Sequence, residues 1–140
     1  MHTEASFEVR RTLRGAAPSL PYEKIARRIL GNEYSLSLVL CGDALARRMY
    51  RQYRHEALGT RKHVPASYAS NVLSFPYSKT EGEIFLNVRK AAREARTMGI
   101  SHRARLALLF VHGCFHLKGL DHGATMESEE QRVLREFGLA

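Results

Sequence analysis

Three histidines fall within the eleven residues HGCFHLKGLDH (112–122), at intervals of four and then six. Residues four apart share one face of a helix, so His112 and His116 can point at a common atom. Gly119 can take the left-handed turn that ends a helix, after which the chain can fold back. Three residues later comes His122, with Asp121 beside it. Two imidazoles from a helix and a third from the following turn can occupy three corners of a tetrahedron. A fourth corner left to water is the arrangement of a catalytic zinc, whereas a structural zinc is closed by four protein ligands. Asp121 stands where it could orient a ligand or the bound water. The plain alternative is a pair of histidines without a metal. Against it, the apolar run ALLFV (107–111) implies a deeply packed helix, and two bare imidazoles at its buried end would be costly. Cys114 is a competing soft donor by type, but two residues from His112 it faces away from the pair and suits the core.

In H-E-x-x-H proteases the residue after the first histidine is the general base. Here it is Gly113, which has no side chain, so peptide hydrolysis by that route lacks its base. An open zinc still lowers the pKa of its water toward about 7 and polarises a phosphoryl oxygen. Charge points the same way. The net charge is +8, and residues 44–105 hold 13 Lys/Arg against 4 Asp/Glu. Such a segment attracts polyanions, phosphate backbones foremost, although a solvated basic surface has the same composition. Metal-assisted hydrolysis of RNA fits both observations better than proteolysis does.

These residues must be positioned by a chain of 140 residues, enough for one domain (1–140) with a real core. At 44% hydrophobic and 26% charged, it has the composition of a globular protein. No run approaches the roughly 18 apolar residues that span a bilayer, and no secretory signal is expected from MHTEASFEVRR. Two cysteines are too few for a disulfide framework, which suits a reduced cytoplasmic setting. FEVRRTL (7–13) suits a first strand. PYEKIARRILGN (21–32) suits a helix, with Pro21 in its first turn and a stripe of Ile25, Ile29 and Leu30. YSLSLVLCG (34–42) has the pattern of a partly buried strand, and Asp43 can cap the helix 43–58 that follows. NVLSFPY (71–77) is a strand bent by Pro76, and so belongs at a sheet edge. EIFLN (83–87) pairs naturally after the TEG turn. Asn87 and Ser101 are candidate caps for two helices ended by Gly99 and Gly119. A last amphipathic helix spans 125–138, with acids in its first turn and arginines later. The expectation is an α+β fold: a small mixed sheet of about four strands and about five helices, a single layer of them around the histidine helix.

HGCFHLKGLDH is similar to the H-G-x-x-H-L-x-G-x-D-H signature of the YbeY family, the bacterial endoribonucleases of ribosomal RNA maturation. NVLSFP (71–76) resembles that family's T-[DN]-V-L-S-F-P, Tyr53–Arg54 its Y-R, and GEIFLN (82–87) its G-D-I strand. The likeness covers roughly residues 34–138. It implies a small α+β fold and one Zn²⁺ held by His112, His116 and His122. It also implies RNA partners, rRNA precursors and the small ribosomal subunit; a cytoplasmic protein with no membrane and no DNA partner is expected. The family's functionally important arginine falls on Arg54, where a guanidinium can clamp a phosphate at two points. Ser74 and Phe75 would shape the cleft wall. Two departures stand out. Between Arg54 and Asn71 lie 16 residues, HEALGTRKHVPASYAS, where the family has a short G-K-D-x-P-T connection, and Glu83 and Ser70 replace Asp and Thr. An added RNA-contacting loop and a variable surface loop are both open for that insert.

The expected function is that of a zinc-dependent single-strand endoribonuclease acting at the 3′ end of small-subunit rRNA and in ribosome quality control. Two rivals are a ribosome-assembly factor with a structural metal and a metallohydrolase of another substrate class, such as a peptidase. Cys41 or Asp121 completing the tetrahedron would support the assembly factor.

Overall fold

The computed structural model describes residues 5–58, 68–120 and 123–140, with the side chains of 54–58 left aside. Leu36, Leu38 and Leu40 alternate along β2 (Ser35–Cys41), and Ile84 and Leu86 along β4 (Glu81–Asn87). These two strands pair in parallel through the centre of the sheet, Leu38 opposite Ile84. β1 (Phe7–Arg11) joins β2 in parallel on one side, and β3 (Val72–Ser78) joins β4 antiparallel on the other. The order β1-β2-β4-β3 makes a mixed sheet of four strands with β3 at its edge. That is where Pro76, which has no N–H to give a further neighbour, can be tolerated.

The period-two pattern sends alternate residues to opposite faces. On one face Leu36, Leu38, Leu40, Ile84 and Leu86 pack under α1 (Tyr22–Leu30), α3 (Val88–Met98), α4 (His102–Lys118) and α5 (Ala124–Glu136). On the other, Val39, Cys41, Leu73 and Phe85 meet Ala46, Met49 and Tyr53 of α2 (Asp43–Leu58). The expected layer around the histidine helix is therefore α1, α3 and α5, and α2 covers the reverse of the sheet. Among the described residues no helix is long and apolar enough to cross a membrane.

α4 is the helix on which the rest is assembled. Leu106, Leu109, Phe110, Val111 and Phe115 are all buried, each worth roughly 1.5–3 kcal/mol of apolar transfer. Its start is set by Ser101, whose hydroxyl accepts from the Ala104 N–H at 3.0 Å. Its end is set by Gly119 at φ 99°, a left-handed residue that a side chain would disfavour. The Leu120 N–H then returns to the Phe115 carbonyl at 3.1 Å, turning the chain off the helix just ahead of Asp121. Asn87 caps α3 in the same way, accepting from the Lys90 N–H at 3.0 Å.

Candidate active site

A cleft of about 700 Å³ runs between edge strand β3 and helix α4. α4 lines it with Arg105, Leu108, Leu109, His112 and His116, positions spaced three and four apart and so on one face of the helix. Asn71, Val72 and Ser74 supply the opposite wall, Tyr53 closes it from α2, and Glu130 of α5 lies at its floor.

His112 and His116 converge. Their Nε2 atoms are 2.9 Å apart and their ring centroids 4.5 Å apart. Two nitrogens bound to one tetrahedral zinc at about 2.0 Å would be separated by roughly 3.3 Å, so a shift of a few tenths of an ångström would admit the ion. The other nitrogen of His112 is engaged: Nδ1 lies 2.6 Å from Oε2 of Glu130. With the carboxylate accepting this bond, Nδ1 is the donor, and in the neutral ring that a metal requires the lone pair is then on Nε2, the side facing His116. A carboxylate behind a histidine in this way fixes its tautomer and raises its strength as a metal ligand. Glu130 is only 5% exposed, a depth at which a carboxylate needs such a partner.

Gly113 also finds its reason in packing. A Cβ there would lie 3.1 Å from Ser74 Oγ, 3.1 Å from Val72 Cγ2 and 3.3 Å from Ile84 Cδ1. α4 touches the sheet at this residue, and the Ser74 hydroxyl donates to the Gly113 carbonyl at 2.9 Å. The position that holds glutamate in a zinc protease faces the sheet here, where even a methyl group would be crowded and a glutamate side chain has no space.

The structure thus brings His112, His116 and Ser74 to one cleft. Phe75 alternates to the reverse face and stacks edge-on with Tyr53 and Phe85, at centroid distances of 6.1 and 5.7 Å. It supports the cleft through Tyr53 and does not itself line it. The side chain of Arg54, all of Asp121 and His122, and most of the 55–70 insert lie outside the described residues. Among the described residues, no group of three His, Cys, Asp or Glu side chains is placed to hold a metal ion. Both cysteines are buried free thiols. Burial pushes Cys41 up to about 12 and raises Cys114 as well, so neither is a thiolate at neutral pH. Cys41 further belongs to the core on the α2 face, across the sheet from the histidines.

Sequence reasoning missed Glu130. Its signal was present: Met126, Glu130, Val133 and Leu134 form one helical stripe, and all four are buried. A lone acid within an apolar stripe marks a buried carboxylate with a partner elsewhere in the fold.

A mixed sheet under a central helix, with two converging imidazoles backed by a buried acid in an open cleft, defines an α+β protein built around a histidine site. The profile of the family described as Endoribonuclease YbeY matches residues 5–138, and the chain belongs to that family. The match reaches further toward the N-terminus than the motifs alone, taking in β1 and α1. The chain is 38% identical over 114 residues to the endoribonuclease YbeY of Aromatoleum aromaticum, covering 79% of this chain and 68% of that protein. It is 33% identical over 123 residues to that of Geobacter metallireducens, covering 79% and 75%. With that of Pseudomonas putida it shares 32% over 128 residues, covering 82% and 75%.

Proposed function

We propose that this chain is a zinc-dependent single-strand endoribonuclease of one domain. It acts in the cytoplasm on the 3′ end of small-subunit rRNA precursors and in ribosome quality control. The observation that carries this reading is the convergence of His112 and His116, with Glu130 on the far nitrogen of His112, in a cleft of about 700 Å³ between β3 and α4. His112, His116 and His122 hold the metal. When bound, zinc lowers the pKa of a water toward about 7 and draws charge from a phosphoryl oxygen. Glu130 keeps the proton of His112 on Nδ1 and so keeps the Nε2 lone pair turned to the site. Ser74 anchors the turn of α4 that carries both histidines through its bond to the Gly113 carbonyl. Arg54 neutralises the scissile phosphate, and the basic segment 44–105 holds the strand beyond it.

The peptidase alternative is disfavoured by Gly113, which has neither a base nor space for one. The structural-metal alternative loses Cys41 as a fourth ligand, since that thiol is packed on the α2 face. The test is cleavage of a purified 3′-end precursor by wild type, His116→Ala and Arg54→Ala, with metal content assayed on the same samples. The expected result is cutting by wild type, loss of both metal and cutting in His116→Ala, and retained metal without cutting in Arg54→Ala. Intact RNA with all three proteins, at one metal per wild-type chain, would refute the nuclease reading.

A further inference from the structure

Arg105 sits on the same face of α4 as His112 and His116, about two and three turns before them, and beyond its place in the basic segment 44–105 it has no part in the histidine chemistry. Its side chain is only 16% exposed and lines the histidine cleft. Nε of its guanidinium donates to Glu94 Oε1 at 3.1 Å. The same carboxylate accepts from the Asn71 side-chain amide at 3.2–3.3 Å, so α3, α4 and the start of β3 are tied together behind the arginine. This leaves the two terminal NH₂ groups: among the described residues, the only hydrogen bond of the Arg105 guanidinium is the one through Nε. A guanidinium oriented through Nε with its terminal groups available is the fork that grips a phosphate at two points. Arg105 also lines a second groove of about 300 Å³ over α3, together with Lys90 and Arg93, and it is the residue common to both.

Building on the nuclease reading, we infer that Arg105 is a second phosphate-binding subsite, which holds the RNA backbone upstream or downstream of the cut and leads it from the histidine cleft into the α3 groove. The seven residues from Arg105 to His112 span about 10 Å of helix axis. With a rise of about 3.4 Å per nucleotide in a stacked strand, the gripped phosphate is about three nucleotides from the one at the histidines, fewer if the strand is extended. Glu94 orients the arginine and lowers its local charge, so the subsite contributes one phosphate contact and no more. The competing account is an ion pair that ties α3 to α4 and does nothing else.

Metal-loaded wild type, Arg105→Gln and Arg105→Lys are titrated with a labelled single-stranded 2′-O-methyl RNA dodecamer at several salt concentrations. A gel checks the probe after each titration, and melting temperature and metal content are recorded for each protein. Arg105→Gln is expected to bind roughly fivefold more weakly at moderate salt. It should also lose about 0.7 from the slope of log affinity against log salt, the value of one phosphate contact on a single strand. Arg105→Lys should recover most of the slope. A second measurement needs no variant: single methylphosphonate linkages are walked through the probe against wild type. Two separated zones of sensitivity are expected, about three linkages apart, and the outer zone should vanish in Arg105→Gln. Equal slopes for wild type and Arg105→Gln, or a single zone of sensitivity in wild type, would overturn the subsite and leave the nuclease reading standing. Failure of wild type to bind the RNA at all would overturn both.

Discussion

Replacing the one glycine inside the helix that carries the histidines by alanine should destabilise this protein, against the usual effect of the same change. Gly→Ala inside a helix ordinarily stabilises by about 1 kcal/mol, because alanine restricts the unfolded chain and supports helix. At Gly113 the new methyl would meet three atoms at 3.1–3.3 Å. None can easily give way. Ser74 Oγ is held by its bond to the Gly113 carbonyl, Val72 is stiff at its branched Cβ, and Ile84 is fully buried in the sheet. Overpacking of this kind costs about 1–3 kcal/mol, so the two effects sum to a net loss of roughly 0–2 kcal/mol. The refit also pushes α4 off β3, and with it His112 and His116. Urea unfolding of Gly113→Ala beside wild type, with zinc affinity measured on both, checks this. The expected result is a lower midpoint at an unchanged slope, together with weaker zinc binding. Gly113→Glu, which restores the protease spelling, should fail to fold or lose well over 3 kcal/mol without gaining peptidase activity. A midpoint raised by the full helix gain in Gly113→Ala would refute the claim that α4 rests on the sheet at this residue.

Two further outcomes follow from named contacts. Glu130→Gln should bind zinc about 10–100-fold more weakly than wild type in a competition titration, because the amide no longer holds His112 Nδ1–H with a full charge; unchanged affinity would remove Glu130 from the site. Asp43 should add a pH-dependent increment of stability. The hydrogen bond from Arg93, with that from Asn87, holds its carboxyl below the usual carboxylate range, so its contribution is present above the unfolded value and fades as pH falls through the folded one. With both partners partly exposed the increment is at most about 1 kcal/mol. The stability gap between wild type and Asp43→Asn should therefore be open at pH 7 and close in strong acid, and a gap independent of pH would contradict the assignment.

The sequence carried the fold where local chemistry is strong. Asn87 and Ser101 cap the helices expected of them, and Gly99 and Gly119 end the same helices at positive φ. β3 sits at the sheet edge, where Pro76 required it. What local chemistry could not reveal was which face each helix covers. α2 has an apolar stripe like the others, and only the alternation of Val39, Cys41 and Phe85 against it decides that it packs on the reverse side. Asp43, expected as a cap, instead spends Oδ1 on Asn87 and Arg93, partners 44 and 50 residues away. The site divides in the same way. The spacing of His112 and His116 could be read directly, because i, i+4 geometry is local. Glu130 reaches His112 across 18 residues and two helices, and Gly113 answers to β3 and β4. Long-range partners of this kind leave only indirect marks in a sequence, such as an acid on an apolar stripe or a glycine inside a helix.

The most direct test of the account is to strip the protein of metal with a chelator, then add zinc back in fractions of an equivalent while following cleavage of a single-stranded rRNA 3′-end precursor. The account predicts no cutting by the stripped protein and a linear return of activity that saturates at one zinc per chain, with no return in His116→Ala. Cutting that survives complete metal removal, or that returns equally in His116→Ala, would contradict a catalytic centre built on the α4 histidines.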